Sequence, residues 1–479
     1  MKKFILAIAL ITAFISCSDR LEELNQPSKN ATSAPADKLF ANGVRNMYDL
    51  MASTDVNSNI FRLVSQYWAQ TTYPDESQYN LVGREIADNF WTFAYRDVLM
   101  DLEQAEISLD QTWEALAMDE AVKNNQMAII HLNQAYMYAI LVDAFGAIPF
   151  EEALQEDILA PKYQSGQEVY NGVFAMIDDA LANLNEEAEG FSSAQDPIYN
   201  GDIAQWRKFG NTLKLRMAVN ISDIDAPRAT TLIQEALTGG VFESNDDNAS
   251  ITYFAEAPNT NPVWEDLVQS GRADYVIANT IVDKMLELED PRLGIYADPM
   301  EDGSFIGGEY GTANTYDDNS KVGELFHQPD LEGVILDYSQ VNFLLAEAAA
   351  KGLIAGDVET YYNEGIRASM EYWGVPEAEI ETYINSPGVA WDTAEGDWNQ
   401  KIGIQSWLAL YNQGFEGWTV WRRLDFEGFN VPEGLTEQDI PRRFTFPIQE
   451  ATLNPSAFKE AIEIVGADNV QTRVFWDME

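Results

Sequence analysis

The chain has 479 residues, with 46% hydrophobic and 22% charged side chains, which is enough apolar material for a packed core and excludes wholesale disorder. Its charge is extreme, because 78 Asp and Glu stand against 29 Lys and Arg and give a formal net charge of −49. This balance excludes non-specific binding to nucleic acids and basic-patch binding to anionic lipids, since both need clustered cations facing phosphate.

The inventory of cysteine and histidine residues narrows the chemistry further. Cys17 is the only cysteine, and His131 and His327 are the only histidines, so disulfides, cysteine zinc sites and His-rich metal sites are excluded. The chain also has no G-x-S-x-G nucleophile motif and no glycine-rich nucleotide loop. We therefore expect a protein that is not an enzyme. Carboxylate pairs cannot be judged in so acidic a chain, so a glycoside hydrolase is kept as the least favoured alternative.

The first residues have the pattern of an export signal. Lys2 and Lys3 precede a twelve-residue apolar run, residues 4–15, which is too short to cross a bilayer. The run ends at Ile15-Ser16-Cys17, which is similar to the lipobox of bacterial lipoproteins, with Phe14 in place of the usual Leu. This resemblance implies cleavage before Cys17 and lipidation of that residue. Several acyl chains together hold a protein stably at a membrane.

The segment after Cys17 has the composition of a tether. Acidic residues directly after the cysteine, Asp19, Glu22 and Glu23, resemble the export signals of lipoproteins carried to the outer face of the outer membrane. We therefore predict a lipid-anchored outer-membrane protein that faces the cell exterior. The predicted divisions are a signal peptide at residues 1–16, the acylated cysteine and flexible tether at 17–37, and a single binding domain at 38–479.

From Lys38 onward, apolar residues recur with helical spacing, which predicts a mainly α fold. Helices are predicted near residues 39–51 and 90–102, at Ala121 to Phe145, Val169 to Leu184, Ala204 to Ile221, Ala229 to Leu237, Ala278 to Leu288, Gln340 to Lys351 and Val358 to Trp373, with Lys401 to Tyr411 as the last long one. Short turns between them indicate a TPR-like array of helical hairpins without a strict sequence repeat. Strands are expected to be few and short, with candidates at Ile251 to Phe254 and Phe444 to Ile448.

Three long loops interrupt the helices, at Gln70 to Arg84, Ala255 to Tyr275 and Tyr296 to Pro329. Loops of this length in a compact domain are either functional or disordered, and their content of Tyr and Trp favours binding loops. The third loop also holds four carboxylates that could ligate calcium, Asp298, Asp302, Asp317 and Asp318, but without EF-hand spacing. We expect no cofactor and no metal, with calcium as the open alternative.

Six segments, in order along the chain, resemble the signature segments of one family. They are His131 through Phe150, with Gly146-Ala147-Ile148-Pro149-Phe150 at its end; Leu213-Lys214-Leu215-Arg216-Met217-Ala218; Asp290-Pro291-Arg292-Leu293; Tyr338 through Ala348, with Gln340 where Glu is commoner; Tyr361-Tyr362-Asn363-Glu364-Gly365-Ile366; and Arg442-Arg443-Phe444-Thr445-Phe446-Pro447. The chain resembles the SusD/RagB-like outer-membrane lipoproteins, in their second SusD-like subgroup, over nearly its whole mature length.

The resemblance implies a SusD-like fold and a function in nutrient uptake. Proteins of this kind are not enzymes; they capture oligosaccharides or polysaccharides at the cell surface and deliver them to a SusC-like TonB-dependent transporter. RagB relatives handle peptides, so a peptide-capture lipoprotein is the alternative. The net charge of −49 opposes an anionic ligand, so a neutral glycan such as a glucan is favoured.

The candidate ligand contacts follow from the chemistry of sugars. Aromatic rings fit the apolar face of a sugar ring, and polar side chains fit its hydroxyl groups. The predicted contacts are Tyr73, Asp75, Tyr79 and Asn80 in the first loop, Asn261, Trp264, Arg272 and Tyr275 in the second, and Tyr310 in the third. Among them we expect Trp264 to be presented to the ligand, because it follows Asn261-Pro262 in a loop rich in polar residues.

Overall fold

Helices dominate the computed structural model, which describes residues 34–81, 83–155 and 157–478. They are α1 (Ala36–Ala52), α2 (Phe61–Val64), α3 (Ile86–Thr92), α4 (Met100–Thr112), α5 (Glu120–Phe145), α6 (Gly166–Asn183), α7 (Ile203–Asn220), α8 (Ala226–Gly239), α9 (Pro262–Trp264), α10 (Asn279–Glu287), α11 (Leu293–Tyr296), α12 (Tyr338–Ala350), α13 (Val358–Tyr372), α14 (Glu377–Ile384), α15 (Trp398–Ala409), α16 (Gly414–Leu424), α17 (Glu450–Leu453) and α18 (Pro455–Val465). The predicted mainly α class is confirmed. The signal peptide, Cys17 and most of the predicted tether lie outside the described residues.

Consecutive helices pack against each other in pairs, as the predicted hairpin array requires. The main pairs are α5 with α6, α7 with α8, and α12 with α13. The chain reverses direction between the two helices of each pair, so the paired helices lie antiparallel. Within the described ranges, no helix is both long and apolar enough to cross a lipid bilayer.

Aspartate side chains begin many of these helices and account for part of the acidity of the chain. Each N-cap carboxylate accepts a hydrogen bond from a backbone N–H of the first turn, which has no partner within the helix. The residues that do so are Asp119, Asp202, Asp225, Asp337, Asp357 and Asp397. A negative charge at a helix N-terminus also interacts favourably with the helix dipole.

The strands are short and form two-stranded antiparallel pairs. They are β1 (Trp68–Gln70) with β5 (Tyr275–Ile277), β2 (Ala147–Pro149) with β3 (Tyr163–Ser165), β4 (Ala249–Ile251) with β8 (Gly333–Leu336), and β6 (Ala297–Asp298) with β7 (Lys321–Val322). The first predicted strand, Ile251 to Phe254, overlaps β4 only at Ile251, so the strand begins two residues earlier than predicted. The pairing that matters for the site is β1 with β5, in which Gln70 lies opposite Tyr275.

The predicted strand from Phe444 to Ile448 is wrong. The Phe444 N–H donates to the carbonyl of Ala144 at the end of α5 (2.7 Å), and the Phe446 N–H donates to the carboxylate of Asp468 (3.0 Å), so the segment pairs with no strand in the described chain. The alternation of aromatic residues that imitates a strand has another cause: the Phe444 ring packs with Phe61 in an aromatic cluster between helices, with ring centres 5.4 Å apart.

Two further long helices follow the one predicted to be the last long helix. These are α16 and α18, each of eleven residues. In α16, nearly every side chain is buried, including the charged residues Glu416 and Arg422.

A buried ionic network joins four of the helices. Arg216 on α7 donates from Nη1 to Asp143 on α5 (3.0 Å) and from Nε to both carboxylate oxygens of Glu416 on α16 (2.9 and 3.0 Å). Gln340 on α12 donates to the same Glu416 carboxylate (2.6 Å). Because each helix supplies one member and all four side chains are buried, the network fixes how these distant segments of the chain pack.

Asp337, which caps α12, should make the stability of the protein depend on pH. Burial raises the pKa of Asp337 to about 6, and its carboxylate accepts from the side chain of Gln413 (2.5 Å). Since the pKa in the unfolded chain is about 3.9, this group stabilises the fold below pH 4, and that contribution is lost as the pH rises through 6. Asp337→Asn, which keeps a capping oxygen, should therefore raise the free energy of unfolding by about 1–2 kcal/mol at pH 8 and by about half as much at pH 5.

Urea unfolding of both proteins between pH 5 and pH 8 measures this difference. The matched control is Asp357→Asn, which changes another capping aspartate that bonds only its own helix in the structure, through Thr360. A gain in Asp337→Asn that is the same at every pH would contradict the assignment.

Candidate functional site

Three loops meet beside the paired strands β1 and β5. The Thr71 N–H donates to the carbonyl of Asp274 (2.9 Å), the Asn314 N–H donates to the carbonyl of Gln70 (3.0 Å), and the side chain of Gln78 donates to the carbonyl of Gly311 (2.8 Å). These bonds hold residues 71–80, 270–274 and 309–315 together on one surface, which we call the loop face. Each of the three predicted binding loops therefore contributes one segment to it.

Tyr73 is the aromatic ring that the loop face exposes most. Its side chain is 67% exposed, the highest value for any aromatic residue among the described residues. Its backbone has φ = 54°, a left-handed conformation that is uncommon for a residue other than glycine. The side chain of Gln70 donates to the carbonyl of Tyr73 (3.1 Å) and to the buried carboxylate of Glu76 (2.6 Å). These hydrogen bonds anchor the loop to buried residues, while the ring of Tyr73 is exposed to solvent.

Polar side chains share the loop face with this ring. Arg272 is exposed and pairs with Asp274, and hydrogen bonding to that carboxylate raises the pKa of Arg272, to which the nearby Tyr73 adds a small effect. The side chain of the exposed Asn80 donates to Asp75, which is partly exposed (3.3 Å). The loop face thus offers both donors and acceptors beside one exposed aromatic ring.

Three of the predicted contact residues are part of the interior. The Tyr275 hydroxyl donates to the carbonyl of Thr54 (2.6 Å), the Tyr310 hydroxyl donates to the carbonyl of Leu63 (2.7 Å), and the Tyr79 hydroxyl accepts from the side chain of Gln66 (3.2 Å). All three rings are at most 8% exposed, and burial raises the pKa of Tyr79 to about 12. They support the loop face from beneath and offer no free ring face in this structure, which differs from the expected platform of many rings.

Asn261 and Trp264 lie outside the loop face. Asn261 is 2% exposed and caps α9, accepting from the N–H of Val263 (2.7 Å) and donating to the carbonyl of Leu331 (2.7 Å). Both of its polar atoms are therefore engaged within the fold. Trp264 ends α9 with its side chain half-buried, so presentation of this ring to a ligand is untested by the structure and stays a prediction.

The sequence did not indicate the polar residues that complete the loop face. Gln78, Asp274, Glu309 and Asn314 lie there because β1 pairs with β5 and because the side chain of Asn314 accepts from the N–H of Glu309 (2.8 Å). The available signal was the run Gly307-Gly308-Glu309-Tyr310-Gly311, whose glycines permit close backbone packing.

One group of side chains in the described chain has the spacing of metal ligands. Asp298, Glu324 and His327 each offer a ligand atom, all within 4.8 Å of one another. Of the four carboxylates that could ligate calcium, this group includes Asp298. The carboxylate of Asp302 accepts hydrogen bonds from the N–H and the hydroxyl of Ser304. Calcium prefers oxygen ligands, and an imidazole suits transition metals better, so calcium stays an open alternative.

Comparison with known proteins identifies the family. A family model described as "Starch-binding associating with outer membrane", SusD-like_2, matches residues 25–447. The chain belongs to the SusD-like family. Members of this family are associated with the outer membrane and bind glycans, so the resemblance stated from the sequence is confirmed.

Solved structures show the same SusD-like fold. A chitin-binding SusD homologue from Flavobacterium johnsoniae has a TM-score of 0.80 and 23% identity over 93% of this chain and 99% of its own. A SusD homologue from Bacteroides uniformis has a TM-score of 0.75 and 23% identity, covering 92% and 100% of the two chains. One from Parabacteroides distasonis has a TM-score of 0.78 and 21% identity, covering 92% and 97%. No curated protein matches this SusD-like chain in sequence.

Proposed function

We propose that this SusD-like protein is a cell-surface lipoprotein that binds a neutral oligosaccharide or polysaccharide at the loop face. The observation that carries the proposal is the exposed ring of Tyr73, held on an anchored loop that also carries Asp75 and Asn80, with Arg272 nearby. The family match and the description of the Flavobacterium johnsoniae relative as chitin-binding support a glycan as the ligand.

Recognition at the loop face would combine stacking with hydrogen bonding. The apolar face of a sugar ring packs on Tyr73, and its hydroxyl groups exchange hydrogen bonds with the carboxylate, amide and guanidinium groups around the ring. Arg272 is already paired with Asp274, so the loop face offers no unpaired cation of its own for an anionic sugar. Together with the net charge of −49, this favours a neutral glycan.

The first experiment identifies the ligand. Affinity electrophoresis of the protein against neutral polysaccharides, charged polysaccharides and peptides should show retardation by a neutral glycan. The exposed ring of Tyr73 on an anchored loop supports a sugar over the peptide ligand of the RagB alternative. Binding of peptides and of no polysaccharide would replace the proposal with that alternative, and release of reducing ends by the pure protein would indicate a glycoside hydrolase.

Tyr73→Ala should weaken binding of the identified glycan about 5- to 150-fold. This range follows by analogy with bases stacked on aromatic side chains, which contribute about 1–3 kcal/mol per platform. Calorimetry measures the affinity, and circular dichroism confirms the fold. Phe254→Ala is the matched control, because Phe254 is also an exposed aromatic residue (60%) but lies outside the loop face. Equal affinities of the wild type and Tyr73→Ala would remove Tyr73 from the site.

We also propose that Cys17 carries the lipid anchor and that a SusC-like TonB-dependent transporter receives the glycan. The lipobox-like Ile15-Ser16-Cys17 supports the anchor, and membership of the SusD-like family supports the partner. Cys17→Ala should release the protein from membranes in cells that lack the transporter, because the acyl chains supply the attachment. Fractionation followed by immunoblotting measures this, and retention of Cys17→Ala in the membrane fraction would contradict the anchor.

A further inference from the structure

A polar cavity lies on the C-terminal part of the chain. It has a volume of about 750 Å³, and its lining includes Trp421, Asp425, Phe429, Arg442, Gln471 and Arg473. We call it the Trp421 cavity. Its volume falls within the range of small-molecule sites, about 300–1,000 Å³. None of the residues predicted from the sequence as ligand contacts lines it.

The indole of Trp421 is the feature of this cavity that points to a ligand. Trp421 is only 5% exposed, and no side chain or carbonyl in the described part of the chain accepts a hydrogen bond from its N–H. Buried indole N–H groups usually have a partner, as in Trp206, which donates to Asp196 (2.7 Å). The N–H of Trp421 is not among the fully buried unpartnered groups of the described residues, so it is a donor that keeps accessible surface on a residue lining the cavity.

Aromatic stacking gives the cavity an apolar wall. The ring of Phe429 is stacked on Trp421 at 5.1 Å with an interplanar angle of 9°, and it is partly exposed. The guanidinium of Arg442 lies 4.2 Å from the Trp421 ring centre. The wall is rigid, because the side chain of Gln400 donates to the carbonyl of Glu427 (2.7 Å) and accepts from its N–H (2.8 Å).

The charges of the cavity suit a neutral ligand. Arg442 is paired with Asp425 (2.6 Å) and Asp477 (3.1 Å), and Arg473 is paired with Asp477 (2.5 Å). The cations are thus neutralised, while Glu427 and Glu437 add negative charge at the rim. Carboxylates, guanidinium groups and the amide of Gln471 around an aromatic wall are the set that binds sugar hydroxyls.

The cavity is also close to the loop face. Pro432 lies against Gly311, since a Cβ placed on Gly311 would be 2.6 Å from the Pro432 side chain. Phe429 lines the cavity and is three residues from Pro432, a step that spans at most about 11 Å of extended chain. The cavity therefore lies beside the 309–315 segment of the loop face.

We propose that the Trp421 cavity is a second saccharide site, which binds a neutral sugar unit of the same glycan chain that the loop face holds. The N–H of Trp421 donates to a hydroxyl or ring oxygen, Phe429 packs on the apolar face of the sugar, and the rim carboxylates accept from hydroxyl groups. Two sites on one protein molecule raise its affinity for long glycans over short ones, because binding at the second site is intramolecular once the first site is occupied. The ligand class rests on the proposed function.

The indole N–H signals of the ¹⁵N-labelled protein test this directly. The chain has twelve tryptophans, and the signal that Trp421→Phe removes is assigned to Trp421. Maltohexaose, cellohexaose and chitohexaose are titrated in turn, with calorimetry of the same samples. With a saccharide that binds, the Trp421 signal should shift to saturation while the signal of Trp206, already bonded to Asp196, stays in place. The shift should persist in Tyr73→Ala at higher saccharide concentration.

Variants of the cavity supply the second measurement. Trp421→Phe keeps an aromatic ring and should lower hexasaccharide affinity about 2- to 12-fold, the range of one neutral hydrogen bond. If that variant does not fold, Gln471→Trp, which adds bulk at an exposed rim position, should lower affinity in the same way. Val431→Ala is the control, as an exposed side chain of the same segment that does not line the cavity.

The outcomes separate the two proposals. A hexasaccharide that binds the wild type without moving the Trp421 signal, or that binds Gln471→Trp as tightly as the wild type, would overturn the second site and leave the loop face intact. Binding of none of the three hexasaccharides and of no polysaccharide would overturn the proposed function, and the second site with it.

Discussion

Arg216→Ala should lower the free energy of unfolding by about 3–5 kcal/mol, the cost of removing one partner from a buried ion pair. Arg216 is fully buried, and its guanidinium is shared by Asp143 (3.0 Å) and Glu416 (2.9 Å). Burial acts to lower the pKa of Arg216, but the two carboxylates outweigh it and raise the pKa above its usual value. Without the guanidinium, two buried carboxylates would face each other with no cation between them.

The other groups that donate to the Asp143 carboxylate are uncharged, and Arg422 donates instead to the backbone carbonyl of this residue (2.6 Å). Its carboxylate also accepts from the hydroxyl of Tyr170 (2.6 Å) and the indole N–H of Trp476 (2.7 Å), which are neutral donors. Urea unfolding at pH 7 measures the loss. The control is Lys284→Ala, which removes a cation from an exposed pair with Glu287 and should cost about 0.5 kcal/mol or less. A loss below 1 kcal/mol in Arg216→Ala would show that the network is dispensable for stability.

Gly307→Ala should destabilise the protein by about 3 kcal/mol and distort the loop face. A Cβ on Gly307 would lie 2.4 Å from the Cα of Asn279 and 2.5 Å from its backbone nitrogen, so backbone atoms would have to move. The adjacent bonds hold the loop to β5 and α10: the Gly308 N–H donates to the carbonyl of Ile277, and the Asn279 N–H donates to that of Gly308, both at 2.8 Å. Displacing this contact shifts residues 309–315, so glycan affinity should fall together with stability.

Thermal unfolding and glycan calorimetry of the same variant measure the two effects. Gly294→Ala is the matched control, because no heavy atom lies within 4 Å of the added methyl group at that position in α11. It should be neutral or stabilise the protein by up to about 1 kcal/mol, since alanine loses less conformational freedom on folding than glycine. An unchanged melting temperature in Gly307→Ala would mean that the loop can move away without cost.

The sequence predicted which loops carry the candidate site but not which side chains face outward. Tyr73 and Tyr79 lie in the same loop among similar polar residues. Even so, Tyr73 is exposed, whereas Tyr79 is buried and its hydroxyl accepts a hydrogen bond from Gln66. Gln66 lies thirteen residues earlier on the chain, beyond the reach of local patterns. Whether a loop ring is exposed depends on such partners. Loops carry no periodicity from which these partners could be predicted.

By itself the sequence determined the helical class, the order of the helices and the membership of the SusD-like family. Helical periodicity is a local property, and α5 to α8 appear close to where it predicts them. Only the tertiary structure decided that Phe444 joins an aromatic cluster rather than a strand, that Arg216 bridges Asp143 and Glu416, and that Trp421 lines a cavity. Each of these depends on contacts between residues far apart in the chain, and such contacts exist only once the helices are packed.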